Sequence, residues 1–118
     1  MTVNRYSRKS ETEFQQEICE AATLYGWKIF SVRRSAVPGK YGPVSVVTHD
    51  GKGFPDLSLF NPKQRRILYI ECKREKGIVS EDQHKWEHWV RKSGGEYILA
   101  RPSMMDFVIE ILQGVEAT

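Results

Sequence analysis

The sequence predicts an α/β domain in which helices pack against a mixed β-sheet. The predicted elements follow the order α-β-β-β-β-α-β-α, and strands mixed with helices in this way form layered domains. Its helices repeat apolar residues at helical spacing, and its strands are short runs rich in aromatic and β-branched residues. The chain has 118 residues, 40% of them hydrophobic, so we expect a single domain over residues 10–118, preceded by a flexible basic arm at residues 1–9.

The first helix is predicted over residues 11–25. Ser10 and Glu13 have the spacing of a capping box, in which each side chain bonds to the other's backbone N–H. Helically spaced apolar residues follow this start: Phe14, Ile18, Ala21 and Tyr25. Gly26 ends the pattern.

Two further helices are predicted in the second half of the chain. Ser80, with Gln83 at the capping-box position, opens a helix that ends before residues 94–95. Its predicted apolar face consists of Trp86, Trp89 and Val90. Ser103 is predicted to cap the last helix. The predicted buried face of that helix consists of Phe107, Val108, Ile111 and Leu112.

The predicted strands cover residues 27–32, 44–48, 56–60, 66–73 and 97–100. Between the first two lies a segment, residues 33–43, whose prolines, glycines and basic residues are typical of an exposed loop. A turn signal at residues 61–64 separates the third and fourth strands, so these two should form an antiparallel hairpin.

Charge and cysteine content exclude several classes of protein. Lys and Arg exceed Asp and Glu by 18 to 15, which permits a polyanionic partner without requiring one. Cys19 and Cys72 are too few for a disulfide framework, which favours a reducing, cytoplasmic compartment. No apolar run approaches the roughly 20 residues of a membrane span.

The hairpin places two carboxylates opposite each other. If Leu57 lies opposite Ile70 and Leu59 opposite Leu68, one face becomes continuously apolar, and Asp56 then faces Glu71. Two like charges at cross-strand distance repel. A divalent cation between them would remove that cost, and Mg²⁺ prefers such oxygen ligands.

Lys73 lies two residues beyond Glu71, so the two side chains point to the same side of the strand. Beside a bound cation, Lys73 could orient an attacking water or offset charge on a phosphate, which favours metal-assisted phosphodiester hydrolysis. The alternative is that Glu71 and Lys73 form an exposed ion pair at a strand end while Asp56 caps a turn. Spacing alone leaves both readings open.

Three short motifs occur in a characteristic order: Gly-Phe-Pro-Asp-Leu at residues 53–57, Ile-Glu-Cys-Lys at residues 70–73, and Ser-Glu-Asp-Gln at residues 80–83. Their combination resembles the PD-(D/E)xK nuclease superfamily and, within it, the VRR-NUC family. The resemblance extends from about residue 13 to residue 101. It implies a restriction-endonuclease-like three-layer fold with a central mixed β-sheet flanked by helices.

The resemblance also implies roles for individual residues. Asp56, Glu71 and the carbonyl of Cys72 would bind the catalytic metal, Lys73 would be the catalytic lysine, and Gln83 would lie beside the metal or the phosphate. Family members carry a further glutamate on the first helix. Glu13 matches it best, and Glu17, one turn later, is the rival. Glu13 and Gln83 also have a purely structural alternative as capping-box residues.

The implied function is that of a Mg²⁺- or Mn²⁺-dependent, structure-specific endonuclease that cuts branched DNA such as four-way (Holliday) junctions. A homodimer is expected, because one active site per chain cannot make two symmetric cuts; no organic cofactor is expected, and the context would be bacterial or phage-like. The alternatives are a non-catalytic nucleic-acid-binding module of a repair or replication assembly and, less favoured, a restriction-type endonuclease.

Basic residues supply candidate contacts to DNA phosphates. The main candidates lie in the loop after the first strand: Arg33, Arg34 and Lys40. Additional candidates lie in the N-terminal arm and in the hairpin turn: Arg5, Arg8, Lys9, Arg65 and Arg66. His84 and His88 are one helical turn apart but lack a third ligand, so we expect them on a solvated helix face.

Overall fold

The computed structural model describes residues 5–32 and 49–117. The helices in these segments are α1 (Glu11–Leu24), α2 (Glu81–Lys92) and α3 (Met105–Gln113), and the strands are β1 (Lys28–Ser31), β2 (Leu57–Asn61), β3 (Arg66–Cys72) and β4 (Glu96–Ala100). The predicted strand at residues 44–48 and the predicted phosphate contacts at Arg33, Arg34 and Lys40 lie outside the described residues. None of the helices in the described segments has the length and hydrophobicity of a membrane span.

The sheet has the order β1-β2-β3-β4, and its strands are mixed in direction, as predicted. β1, β2 and β3 pair antiparallel, whereas β4 runs parallel to β3. Leu57 pairs with Ile70 and Leu59 with Leu68, which confirms the predicted hairpin register. The alternation of apolar residues sets this register, because a slip by one residue would turn the apolar face to solvent.

Helices cover both faces of the sheet. On one face, α1 and α3 bury a stripe of apolar side chains against the sheet. The fully buried helical members of this core are Phe14, Ile18, Ala22, Val108, Ile111 and Leu112. On the other face, α2 packs on β4, where Val90 and Tyr97 are buried. The three-layer α/β architecture is therefore confirmed.

Two residues assigned to buried helix faces are instead exposed. Trp89 of α2 is 65% exposed and Phe107 of α3 is 45% exposed. For Trp89 the reason is that α2 covers only part of its sheet face, so that Val90 is the only buried residue of this helix. Phe107 lies at the edge of the apolar stripe of α3, whose buried members are Val108, Ile111 and Leu112. The open part of this face forms a groove of about 1060 Å³, lined by Ile67, Tyr69, Trp86 and Trp89 among others.

The last helix begins differently from the prediction. Pro102–Met104 form a 3-10 turn, and α3 follows from Met105 without a side-chain cap. Ser103 therefore does not cap the helix. Its backbone N–H instead donates to Glu75 Oε2 at 3.0 Å, so a carboxylate from another loop fills the capping role.

The N-terminal arm is structured over its described part. Arg5–Arg8 form a 3-10 helix, and Lys9 forms an ion pair with Glu17 of α1. The Lys9 pair connects this segment to the first helix, and the flexibility of residues 1–9 stays a prediction.

Arg66 has a structural position that excludes the predicted phosphate contact. Its guanidinium donates to both carboxylate oxygens of Glu96, at 2.8 and 2.9 Å, and its side chain is only 10% exposed. It also donates to the carbonyls of Ile111 (2.8 Å) and Val115 (3.0 Å). Arg66 thus fastens the end of α3 to the sheet, and the same ion pair lowers the pKa of Glu96.

Candidate metal centre

Three carboxylates from three different elements converge at the end of the β2–β3 hairpin. Glu11 comes from the first turn of α1, Asp56 directly precedes β2, and Glu71 lies near the end of β3. One oxygen from each side chain can be chosen so that all three lie within 4.8 Å of one another. The prediction that Asp56 and Glu71 meet across the hairpin is borne out by this geometry.

The backbone of β3 fixes the position of Asp56. Asp56 Oδ2 accepts a hydrogen bond from the backbone N–H of Cys72 at 2.9 Å, while its own carbonyl accepts from Val32 N–H at 3.2 Å. Both strands that flank β2 thus hold this residue. The carboxylate cannot swing away from the site without breaking a hydrogen bond that a buried amide needs.

The loop before Asp56 is fastened to the start of α2. Gly53 has φ +85°, and a Cβ at this position would lie 2.5 Å from the carbonyl carbon of Asp82. Trp86 Nε1 donates to the carbonyls of Asp50 and Lys52, both at 3.1 Å. Only glycine permits such close contact at this backbone conformation. The Gly-Phe-Pro-Asp motif therefore joins α2 to the hairpin.

Glu71 is nearly inaccessible to solvent, with 1% of the residue exposed. Its Oε1 accepts a hydrogen bond from Gln83 Nε2 at 2.9 Å. Oε2 is buried and has no hydrogen-bond partner among the described residues. Burial first, and then the nearby charge of Asp56, raise the pKa of Glu71 to about 9, although Lys73 acts in the opposite direction.

A divalent cation fits this arrangement of residues. A buried carboxylate oxygen without a partner is costly, and a cation would satisfy it. Two oxygens bound to one Mg²⁺ lie at most about 4.2 Å apart, twice the metal–oxygen distance. The observed limit of 4.8 Å exceeds this by an amount that small side-chain rotations can close. An all-oxygen set of carboxylates is also the ligand type that Mg²⁺ and Mn²⁺ prefer.

The structure brings Glu11 to the site rather than Glu13 or Glu17. Glu13 is exposed and takes part in the cap, since its backbone N–H donates to Ser10 Oγ at 3.1 Å. Glu17 pairs with Lys9. The sequence held a signal for Glu11, because it precedes the buried residues Phe14 and Ile18 by three and seven positions, which is helical spacing on one face.

Gln83 combines the two roles that the sequence presented as alternatives. Its Oε1 accepts from the backbone N–H of Ser80 at 2.9 Å, which completes the capping box of α2. Its Nε2 donates to Glu71 at 2.9 Å. One carboxamide can do both because its oxygen accepts while its nitrogen donates.

Lys73 and Cys72 complete the set of predicted site residues. Lys73 directly follows β3 and is half-buried, and its N–H donates to the carbonyl of Ala100 at 2.9 Å. The Cys72 side chain is fully buried in the core, as predicted from the strand alternation. Burial raises the pKa of its thiol, so a role as a nucleophile is disfavoured. The Cys72 carbonyl as a metal ligand stays a prediction.

The two histidines of α2 lie away from the three carboxylates. His84 and His88 are both exposed, and His84 lies 3.9 Å from Glu87. They occupy a solvated helix face, as predicted.

The fold and the site together define a class, the α/β domains of restriction-endonuclease-like fold that carry acidic residues at the strand ends. A family model described as the VRR-NUC domain matches residues 32–104, more than half of the chain. The chain therefore belongs to the VRR-NUC family and contains a nuclease-type domain, as the motifs predicted. The match includes Asp56 and Glu71 but not Glu11. No curated protein and no solved structure matches the chain significantly.

Proposed function

We propose that this protein is a Mg²⁺- or Mn²⁺-dependent endonuclease that hydrolyses phosphodiester bonds in branched DNA. The observation that carries the proposal is the convergence of Glu11, Asp56 and Glu71 within 4.8 Å, with one buried Glu71 oxygen unpartnered among the described residues. Two of these carboxylates, Asp56 and Glu71, lie within the residues matched by the VRR-NUC model, which supports DNA as the substrate.

Each residue of the site has a distinct task in this proposal. Asp56, Glu71 and Glu11 bind the cation, which supplies Lewis acidity for the hydrolysis. Gln83 orients Glu71 through its hydrogen bond of 2.9 Å. Lys73 offsets negative charge that develops on the phosphate and orients the attacking water. The presence of this complete set favours the enzyme over the second candidate, a non-catalytic nucleic-acid-binding module.

The proposed substrate has two related strands to cut, so we propose a homodimer with one site from each chain. Light scattering of the purified protein measures this directly. A monomeric protein that still makes paired symmetric cuts would contradict the dimer.

The function is tested by incubating the protein with linear duplex, single-stranded, flap and four-way-junction DNA in Mg²⁺, Mn²⁺ or EDTA. We expect cleavage of the branched substrates that EDTA abolishes. The matched control is Asp56→Asn, purified in the same way, with cleavage lowered by at least about 100-fold. Equal cutting by this variant would reveal a contaminating nuclease, and no cutting with either metal would favour the binding module.

A pair of variants on the first turn of α1 separates the metal ligand from the cap. Glu11→Gln should weaken Mn²⁺ binding by about tenfold or more, because removal of a ligand costs at least as much as removal of an outer partner. Glu13→Gln keeps a capping-box residue and should leave Mn²⁺ affinity unchanged. Titration calorimetry measures both affinities. If Glu13→Gln weakened Mn²⁺ binding and Glu11→Gln did not, Glu13 would be the metal ligand.

A further inference from the structure

The loop between β3 and α2, residues 73–79, has both of its ends next to Glu71. Lys73 follows Glu71 by two positions. At the other end, the backbone N–H of Ser80 donates to Gln83 Oε1, and Gln83 Nε2 donates to Glu71 Oε1, both at 2.9 Å. No residue of this loop can be farther than ~14 Å from one of its ends, since four residues span at most ~3.5 Å each. Both ends of the loop thus lie next to the candidate metal centre.

Arg101 holds the backbone of this loop in one conformation. Its Nη1 donates to the carbonyls of Arg74 (2.8 Å), Glu75 (3.1 Å) and Gly77 (2.9 Å). The Gly77 N–H also donates to the Arg74 carbonyl at 3.0 Å. A loop that is ordered before binding loses little conformational freedom when a ligand arrives. Arg101 is therefore a positioning residue for the loop.

The loop presents two cations that lack an acidic partner. Arg74 and Lys76 are exposed, and neither forms an ion pair within residues 5–32 and 49–117. The acidic residue between them, Glu75, instead accepts from the N–H of Ser103 at 3.0 Å. The Glu75 carboxylate is thus occupied by the backbone at the start of the last helical segment. Arg74 and Lys76 have no ion-pair partner among the described residues.

The same loop carries an apolar side chain that is almost fully exposed to solvent. Ile78 is 89% exposed, the highest value among the exposed large hydrophobic residues of the described segments. It lies two residues before Ser80, the N-cap of α2. A single exposed apolar residue is common on protein surfaces, but here it lies on a loop whose backbone Arg101 holds, next to two cations without an ion-pair partner among the described residues.

We propose that residues 74–78 recognise the branch point of DNA, with Arg74 and Lys76 on backbone phosphates and Ile78 against a base-pair face that stacking no longer covers. This inference rests on the proposed function and assigns its substrate selectivity to one loop. At a branch point the strands change partners, so a base-pair face is exposed there at a lower cost than in continuous duplex, where a base step must be unstacked.

The charges of the loop favour DNA over a second copy of the chain. A two-fold interface centred on this loop would bring Arg74 and Lys76 close to their own symmetry mates. Like charges in that position repel. A polyanion attracts the same pair and gains by releasing counterions.

The apolar contact is tested with Ile78→Ser, and Leu24→Ser serves as the matched control. Leu24 is 77% exposed and ends α1, about 20 Å along the helix from Glu11. Binding is measured by fluorescence anisotropy with Ca²⁺ in place of Mg²⁺, on a four-way junction and on linear duplex. We expect Ile78→Ser to weaken junction binding about tenfold, equivalent to about 1.4 kcal/mol, with duplex binding and Leu24→Ser unchanged. Equal losses on both DNAs, or no loss, would overturn the proposal.

The phosphate contacts are tested with the double variant Arg74→Gln/Lys76→Gln. We expect the slope of log K against log salt to become less negative by about 1.8, because each of the two lost phosphate contacts contributes about −0.9. Lys63→Gln/Lys92→Gln removes the same charge at the opposite end of the hairpin and of α2 and should leave the slope unchanged. Equal slopes for the two double variants would overturn these contacts.

Two further readouts separate this inference from other outcomes. Light scattering of Ile78→Ser shows whether the residue belongs to a contact between copies, and a change in oligomeric state would overturn the assignment to DNA. Wild-type cleavage of the same junction in Mg²⁺ tests the proposed function alone. If the wild type cuts junctions while Ile78→Ser binds normally, the inference fails and the function stands.

Discussion

Replacement of Lys73 by methionine should lower the rate of DNA cleavage by about 100- to 1000-fold without unfolding the protein. Losses of this size follow removal of one group that stabilises charge in a transition state. Lys73 lies beside Glu71 closely enough to oppose the upward shift of its pKa. Methionine keeps most of the side-chain length and removes only the charge. Single-turnover rates at saturating Mg²⁺ measure the effect on the chemical step.

Two controls keep the Lys73 result specific. Lys63→Met removes the same charge in the exposed turn between β2 and β3 and should cut at the wild-type rate. Calorimetry with Mn²⁺ should show that Lys73→Met still binds the cation. A variant that retains wild-type single-turnover rates would exclude Lys73 from the chemistry.

Glu71→Gln should stabilise the metal-free protein at neutral and alkaline pH while abolishing cation binding. The pKa of Glu71 rises from an ordinary value of 4.5 to about 9, mainly through burial. The amide carries no charge, and its oxygen can still accept from Gln83. Removal of this buried, poorly satisfied ionisable group is worth about 1–3 kcal/mol, which corresponds to a rise in Tm of about 4–12 °C for a domain of this size.

The pH dependence has a definite sign. Between pH 4.5 and about 9, the folded chain retains a proton on Glu71 that the unfolded chain releases. The free energy of unfolding therefore falls as the pH rises through this window. The advantage of Glu71→Gln over the wild type should be small near pH 4.5 and should increase toward pH 9.

Thermal unfolding with and without Mg²⁺ tests both parts of this prediction. Mg²⁺ should raise the Tm of the wild type, because a ligand that binds only the folded state stabilises it, and should not raise that of Glu71→Gln. A variant less stable than the wild type at pH 8 would show that Glu71 is not a source of destabilisation.

The sequence was sufficient to predict the hairpin and the carboxylates that depend on it. Period-two alternation of Leu57, Leu59, Leu68 and Ile70 leaves one register with a continuous apolar face, and that register decides where Asp56 lies. The prediction succeeded because every step was local to two adjacent strands. The structure has the same pairing.

The identity of the carboxylate that α1 brings to the site was harder to predict, because it depends on a contact between elements distant in the sequence. Glu11 and Glu13 both lie in the first turn of α1, and the capping-box pattern drew attention to Glu13. Which of them reaches the hairpin depends on the rotation of α1 over the sheet, and this is set by burial of Phe14 and Ile18. The apolar stripe, extended back by one turn, includes Glu11.

The misassigned apolar residues have a different cause. Helical periodicity indicates which residues share a face, but it does not indicate how much of that face a sheet covers. Trp89 and Val90 are adjacent and point about 100° apart around the axis of α2, and only the side that carries Val90 is covered, so Trp89 remains exposed. The covered extent depends on the tertiary arrangement of α2 over the sheet, which is not encoded in the periodicity of α2 alone.

The shared carboxamide of Gln83 has a consequence for dynamics. Its hydrogen bonds to Ser80 N–H and to Glu71 (2.9 Å each) make the fraying of the first turn of α2 and the release of Glu71 a single opening event. Hydrogen–deuterium exchange of the backbone amides at this helix start therefore reports on the position of the Glu71 carboxylate. Local opening in this turn would set how often the centre is disassembled in solution.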